Sequence, residues 1–163
     1  MTALRVRAAV DRALEHVLMV LMAVMTLNVL WQVFTRFVLR DPSSYTEELA
    51  RYLLIWVGLL GAAYASGKNM HLAIDVFVQQ LKGRLRSLST VFIQVCVLAF
   101  SLGVVLVGGF LLVQLTLDLG QVSAALQMKL GHVYLALPIA GFLLSLYAVL
   151  SLADAVRDLR RAG

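Results

Sequence analysis

Residues 87–117 read SLSTVFIQVCVLAFSLGVVLVGGFLLVQLTL and contain no Asp, Glu, Lys or Arg. A helix of about 20 apolar residues is long enough to cross the hydrocarbon core of a bilayer, and this stretch has 31 residues. Its apolar residues follow one another without the polar alternation of a transmembrane β-strand. The stretch therefore predicts a membrane-spanning α-helix, in which the backbone polar groups are hydrogen-bonded within the segment.

Three other uncharged intervals predict three more spans. They are His16–Thr35 with 20 residues, Tyr52–Gly67 with 16 and Leu130–Ala153 with 24. The second is short, but Ser44 followed three residues later by Glu47 is the pattern of a capping box, so its helix is expected to begin near Ser44. The sequence thus predicts an all-α membrane protein with a single four-helix transmembrane domain over residues 1–163 and spans at about 11–38, 44–67, 87–117 and 131–156.

The composition of the whole chain agrees with a lipid environment. Hydrophobic residues make up 61% of the chain and charged residues 14%, whereas a soluble domain has about 25% charged residues. These values exclude an ordinary water-soluble enzyme domain, because a small domain cannot hide so much apolar surface. The net charge of +5 does not indicate a nucleic-acid partner, which would require the basic residues along one exposed face.

Lys and Arg residues are distributed unequally between the two sides of the predicted spans. Ten of the fourteen lie before the first span, between the second and third, or after the fourth, and four lie on the opposite side. Basic residues accumulate in cytoplasmic segments of membrane proteins. Both termini are therefore expected to be cytoplasmic.

The connection between the second and third spans has the pattern of an amphipathic helix at about 70–86. Its apolar and polar residues alternate with a helical period and so separate onto two faces. The apolar face holds Ile74, Val78, Leu81 and Leu85, and the polar face holds Asp75, Gln79, Lys82 and Arg86. Such a helix is expected to lie flat on the phospholipid headgroups of the cytoplasmic face. The residues expected at this membrane surface are His71, Lys82, Arg84 and Arg86.

The segment before the fourth span and the start of that span are less regular. Residues 118–129 contain Gly and Gln and are predicted as an outer-face connection, with or without a short helix. Pro138 follows near the start of the fourth span. Proline fits the first turn of a helix and kinks a helix further in, so the sequence permits both positions.

Polar and small residues mark faces that can contact another helix. Asn28, Trp31 and Gln32 lie in the second half of the first span, where polar side chains usually turn toward protein. Glu47 and Glu48 lie four and three residues before Arg51, a spacing that allows ion pairs on one helix face. Small residues four apart let helices approach closely, and they are Gly58, Ala62 and Ser66, together with Gly61 and Ala65. Packing within the chain and contact with a partner both explain these patterns.

The sequence contains no pattern that predicts catalysis, a cofactor or a metal site. His16, His71 and His132 all lie away from the middle of a span, where a haem anchor would hold its axial ligands. Cys96 is the only cysteine. No charged residue lies near the centre of a span, although proton-coupled carriers usually need one there. A stand-alone four-helix proton-coupled exporter, with Glu15 as its nearest carboxylate, and a respiratory-enzyme membrane anchor remain as alternatives.

Several motifs together resemble one family in their order and spacing. They are WQVFTRF at Trp31–Phe37, EELAR at Glu47–Arg51, Trp56, GAAYA at Gly61–Ala65, His71 with Asp75, and YLALPIAG at Tyr134–Gly141. The chain resembles the small membrane subunit of tripartite ATP-independent periplasmic (TRAP) transporters, a DctQ-like small permease, over essentially its whole length.

The resemblance implies a non-catalytic role in the inner membrane of a bacterium. In this family a periplasmic binding protein delivers an organic acid, and a large membrane subunit carries it with sodium while the small subunit braces the large one. The implied partners are the large subunit, the binding protein in transient contact, and phospholipid. The candidates for the partner interface are Trp31, Arg36, Glu47, Glu48, Arg51, Trp56, Gly58, Gly61 and Ala62.

Overall fold

The computed structural model describes residues 2–41, 43–68 and 84–161, and within them the chain is helical apart from short connections. The helices are α1 (Thr2–Phe34), which continues as a π-helical turn at Thr35–Leu39, α2 (Ser44–Gly67), α3 (Arg84–Phe100), a π-helical segment at Ser101–Gly108, α4 (Gly109–Asp118), α5 (Leu130–Tyr134) and α6 (Ala136–Arg161). Most of the predicted amphipathic helix, residues 70–83, lies outside the described residues, and residues 84–86 form the start of α3.

Four of these helical stretches are long and apolar enough to cross a membrane. They are span 1 (Arg7–Leu39), span 2 (Ser44–Gly67), span 3 (Leu88–Asp118) and span 4 (Leu130–Arg157). The predicted fold class, an all-α membrane protein with four spans, is confirmed. Span 3 is continuous through its π-helical segment, and span 4 contains α5 and most of α6.

The spans pack in the order 1, 2, 4, 3. Span 1 packs along span 2, span 2 along α6 of span 4, and α6 along α3 and the π-helical segment of span 3. Burial is greater for the inner spans of this order. In the most apolar 18-residue stretch of each span, 33% of the residues of span 4 are buried, whereas none of those of span 1 are. Spans 1 and 3 therefore form the edges of the bundle, and each has a broad apolar surface for lipid or protein.

Polar contacts join spans 1, 2 and 4 at the end of the bundle where span 1 begins. The Tyr147 side chain is 1% exposed, packs with Leu14 and Leu60, and donates its hydroxyl to Asp11 Oδ1 at 2.5 Å. Lys68 Nζ lies 3.7 Å from Asp11 Oδ2. A Cβ on Gly67 would lie 2.6 Å from the Tyr147 ring, so glycine is required where the ring passes the end of span 2. These contacts hold three spans in a fixed arrangement.

Tyr147→Phe is expected to lower the melting temperature of the purified chain, since it removes the hydroxyl while keeping the ring. A hydrogen bond to a charged group contributes about 1.5–3 kcal/mol to stability, and Asp11, whose side chain is 14% exposed, would lose its partner from span 4. Thermal unfolding in detergent measures the effect, with Thr26→Val as the control because the exposed Thr26 hydroxyl bonds only the Met22 carbonyl of its own helix. Equal melting temperatures for wild type and Tyr147→Phe would contradict this role.

Pro138 lies in the first turn of α6. It is the third residue of α6, and the helical geometry is interrupted just before α6, at Leu135. The first N–H groups of a helix have no hydrogen-bond partner within the helix. The N–H group that Pro138 lacks therefore removes no hydrogen bond at this position. The Ile139 N–H still donates to the Leu135 carbonyl at 3.3 Å.

The capping box expected at Ser44 and Glu47 is absent, so that prediction is wrong. α2 begins at Ser44, its N-cap residue is Ser43, and the Ser43 side chain makes no capping hydrogen bond. Ser44 is already helical and cannot serve as the N-cap, which needs an extended backbone. The Glu47 carboxylate instead bonds Arg51, one turn further along the helix.

Candidate functional site: the open face of span 2

One face of span 2 is exposed from the start of the helix to beyond its middle. Its residues recur every three or four positions, so they lie on the same side of the helix. They are Glu47, Arg51, Leu54, Gly58 and Ala62, and all five are exposed. A Cβ on Gly58 would meet nothing within 4 Å, and the same holds for half-buried Gly61 beside it. We call this set of five residues the open face.

The charged end of the open face is only weakly paired. Arg51 Nη2 lies 3.4 Å from Glu47 Oε1, and the two side chains are 69% and 66% exposed. Exposed ion pairs contribute about 0–1 kcal/mol to stability. Both groups can therefore exchange their partner for one outside the chain at little cost.

Glu48, the neighbour of Glu47, points into the protein. Its Oε2 accepts hydrogen bonds from the backbone N–H groups of Ala125 at 2.8 Å and Leu126 at 2.9 Å, and its Oε1 accepts one from the Tyr52 hydroxyl at 2.6 Å. The buried Ser123 lies beside the same carboxylate. Glu48 thus fixes the connection between spans 3 and 4 to span 2, which separates its role from that of Glu47.

The connection held by Glu48 has a defined backbone conformation. The Ser123 N–H donates to the Met128 carbonyl at 2.9 Å, and the Leu130 N–H donates to the Gln121 carbonyl at 3.0 Å. Gly120 and Gln127 have φ angles of +59° and +52°, a region that glycine enters freely and other residues rarely. The predicted outer-face connection is thus a folded loop with no helix of its own.

Glu48→Ala is expected to release this loop without unfolding the spans. Loss of the carboxylate acceptor leaves the Ala125 and Leu126 amides unpaired, so their hydrogen exchange should accelerate by about tenfold or more. Hydrogen–deuterium exchange of the loop peptides measures the change. Glu47→Ala is the matched control, since Glu47 has no bond to the loop, and an equal acceleration in both variants would contradict the assignment.

The remaining interface candidates occupy different surroundings. Trp56 is half-buried against the cluster of Leu14, Leu60 and Tyr147. Trp31 is 55% exposed on span 1 and stacks on Phe34 with ring centroids 5.7 Å apart. The structure therefore brings Glu47, Arg51, Gly58 and Ala62 onto one surface, whereas Glu48 and Trp56 serve contacts within the chain.

Arg36 lies across a cleft from Glu47. It is exposed in the π-helical turn that ends span 1, and the cleft has a volume of about 200 Å³. The cleft is lined by Gln32, Arg36, Ser43, Ser44 and Glu47. Asn28, one turn before Gln32 on span 1, donates to the Thr46 carbonyl at 2.8 Å, which confirms the interpretation that this polar residue turns toward another helix.

Sequence reasoning missed the bond between Asp11 and Tyr147 and the role of Tyr52. The spacing of Glu48 and Tyr52, one helical turn apart, was a signal for their hydrogen bond. Of the membrane-surface candidates, Arg84 and Arg86 lie in the first turn of α3, and His71 and Lys82 lie outside the described residues. Among residues 2–41, 43–68 and 84–161, no three metal-ligating side chains lie together.

Four helices that are long and apolar enough to cross a membrane define a multi-pass integral membrane protein. The chain belongs to the family of DctQ components of tripartite ATP-independent periplasmic transporters, whose family model matches residues 25–158. The match includes the open face, Arg36 and the loop held by Glu48. The chain is therefore a component of a transport permease and not an enzyme.

Known proteins similar to this chain carry related names. It is 33% identical over 104 residues to the sialic acid TRAP transporter small permease protein of Vibrio cholerae, over 64% of this chain and 60% of that protein. It is 27% identical over 151 residues to a Haemophilus influenzae protein named as a TRAP small permease, over 90% and 89% of the two chains. It is 30% identical over 113 residues to the isethionate TRAP transporter permease protein DctMQ of Oleidesulfovibrio alaskensis, over 69% of this chain and 18% of that protein.

Proposed function

We propose that this chain is the small permease subunit that braces the large membrane subunit of a TRAP transporter. The transporter would take up an organic acid together with sodium, after delivery by a periplasmic binding protein. The observation that carries the proposal is the open face of span 2. This surface exposes small residues and has a weak, solvent-exposed ion pair at one end. Small residues let a second helix approach closely in a membrane, where packing drives helix association.

The isethionate permease supports a large membrane partner. The segment similar to this chain occupies 18% of that protein, so there a unit of this kind is part of a much longer permease chain. In the proposed complex the corresponding contact would join this unit to the large membrane subunit. The open face is the proposed contact surface, with Glu47 and Arg51 exchanging their mutual pair for groups on the large subunit.

The distribution of charge supports a bracing role within such a complex. No Asp, Glu, Lys or Arg lies near the centre of a predicted span, and ion-coupled carriers usually need such a group or a broken helix. Sodium and substrate would therefore be bound by the large subunit. The small subunit would contribute area and rigidity to the fixed part of the transporter.

The proposed orientation in the bacterial inner membrane follows from the basic residues. Both termini would be cytoplasmic, together with the basic connection that bears His71, Lys82, Arg84 and Arg86 and lies against phospholipid headgroups. The loop held by Glu48 would then face the periplasm, the compartment of the binding protein. A transient contact with that protein would use this side of the bundle.

Co-purification and flux measurements test the proposal. A tagged chain, extracted from its native membrane in mild detergent, should retain one large multi-span permease subunit in stoichiometric amount. Proteoliposomes with the chain alone should show no organic-acid flux, whereas the pair with its binding protein should show sodium-dependent uptake. Proton-driven export by the lone chain that Glu15→Gln abolishes, or a haem absorbance band in the purified chain, would overturn the proposal.

A further inference from the structure

A cleft lies between the end of span 1 and the start of span 2. It is open and has a volume of about 200 Å³. Two of its residues come from the last turns of span 1 and three from the segment that begins span 2. The cleft thus lies where two spans reach the end of their apolar length, at the depth of lipid headgroups.

Arg36 provides a cation on one side of the cleft. It lies in the π-helical turn at Thr35–Leu39, and single π-helical turns are frequent at functional sites. Its guanidinium lies 6.0 Å from the ring centroid of neighbouring Phe37, and within the described part of the chain it makes no ion pair. A guanidinium presents a planar fork of donors that matches the oxygens of a phosphate.

Ser43 and Ser44 add hydrogen-bonding groups to the same cleft. Ser43 is the N-cap residue of the 24-residue helix α2, yet its side chain does not cap the first turn. The first N–H groups of α2 therefore lack a side-chain acceptor here. The positive end of the helix dipole favours an anion at this place.

Glu47 provides an acid across the cleft from Arg36. Its pair with Arg51 is long and exposed, so its carboxylate can accept another cation. A ligand with a phosphate and an ammonium group would match Arg36 and Glu47 at the same time. A ligand with a phosphate alone would match only Arg36.

The helices that form the cleft also expose aromatic side chains, which favours a ligand with a hydrocarbon part. They are Trp31, Phe34, Phe37 and Tyr45, each one or two residues along the chain from a residue that lines the cleft. A water-soluble phosphate compound has no apolar surface to bury against these rings. The acyl chains of a lipid do, and their contact with the rings is favourable.

We propose that the cleft is a binding site for one phospholipid of the phosphatidylethanolamine type. Its phosphate is bound by Arg36 with the serine hydroxyls, its ammonium lies against Glu47, and its acyl chains run along the exposed aromatic side chains of span 1. This site lies at the opposite end of span 2 from the basic connection. Glu47 also belongs to the open face, so lipid binding is tested on the chain without the large subunit.

Native mass spectrometry of the full chain, titrated with phosphatidylethanolamine, tests the site. Arg36→Gln should weaken binding of the first lipid by about tenfold, because a charge-assisted phosphate contact is lost. Arg40→Gln is the matched control: Arg40 is exposed on the same hairpin, carries the same charge and does not line the cleft. Its binding should change by less than about twofold.

Two further measurements show which lipid headgroup is preferred and whether the bound phosphate belongs to a lipid or to a soluble compound. Glu47→Gln should abolish the preference for phosphatidylethanolamine over phosphatidylglycerol, whereas soluble glycerophosphoethanolamine should not compete in the wild type. Arg36→Lys keeps the charge without the fork and should bind with intermediate affinity; it also serves if Arg36→Gln fails to fold. Equal effects of the Arg36 and Arg40 variants, or effective competition by the soluble headgroup, would overturn the proposal.

Discussion

Replacing Gly58 and Ala62 with leucine is expected to abolish co-purification of the large permease subunit while leaving the chain itself folded. Both residues are exposed on the open face, and a Cβ on Gly58 meets nothing within 4 Å. Leucine side chains at these two exposed positions should not clash with the rest of the chain. They would, however, hold a partner helix away from span 2, because close approach of two helices needs small residues. The amount of large subunit retained on the tagged chain measures the effect, together with the melting temperature of the chain alone.

A second small-residue pair provides the matched control for this variant. Ala99 and Gly103 are also exposed and four residues apart, on span 3, and a Cβ on Gly103 meets nothing within 4 Å. Leucine at both positions adds the same volume at a surface outside the open face. This control should retain the large subunit at the wild-type level; equal losses from both double variants would show that the open face has no special role.

Among the glycines that the structure describes, Gly141 is the one whose replacement by alanine is expected to cause the largest loss of stability. A Cβ there would lie 2.6 Å from Leu106 N, 2.8 Å from Leu106 Cα and 2.9 Å from Val105 C, all backbone atoms of the π-helical segment. Backbone cannot move aside as a flexible side chain can. Overpacking costs roughly 1–3 kcal/mol, and we expect the upper part of this range because spans 3 and 4 must separate.

The separation would also lengthen a buried polar contact near the same crossing. Ser145 Oγ lies 3.0 Å from Ser101 Oγ and 2.7 Å from the Gly141 carbonyl oxygen, and both serines are buried. Thermal unfolding in detergent should show a lower melting temperature for Gly141→Ala. Gly58→Ala is the control, and its melting temperature should stay the same or rise, because alanine favours a helix more than glycine does. A Gly141→Ala chain as stable as the wild type would contradict the close crossing of spans 3 and 4.

The sequence predicted the four spans because a long uncharged apolar stretch has one stable solution in lipid. It also predicted that polar Asn28 turns toward a neighbouring helix, since an amide facing lipid is costly. These are local properties, in which each residue is interpreted with its neighbours in the chain. The family motifs added the class of protein, which the match over residues 25–158 bears out.

The roles of the paired acids could not be predicted in the same way. Glu47 and Glu48 have the same chemistry and both can reach Arg51 by spacing, yet only Glu48 meets a loop 77 residues further along the chain. That contact depends on the packing of span 2 against the loop end of span 4, which no local pattern contains. The capping box was predicted wrongly for a different, local reason: the helix begins one residue earlier than the pattern requires.

The spacing of small residues also predicted only part of the packing. The repeat of Gly58 and Ala62 predicts a face for close packing, but it does not say whether that face is used within the chain. The structure places the tight approaches at glycines outside this repeat, Gly67, Gly109, Gly131 and Gly141. Of the predicted repeat, Gly58 and Ala62 are exposed, whereas Ser66 is buried.

Photo-crosslinking from the open face in native membranes tests most directly whether this chain is a brace held through span 2. A small diazirine amino acid placed at position 58 should form an adduct with a large multi-span permease subunit, and the same group at position 103 on span 3 should not. Adducts from position 103 with none from position 58 would contradict the account, because the large subunit would then contact a different edge of the bundle.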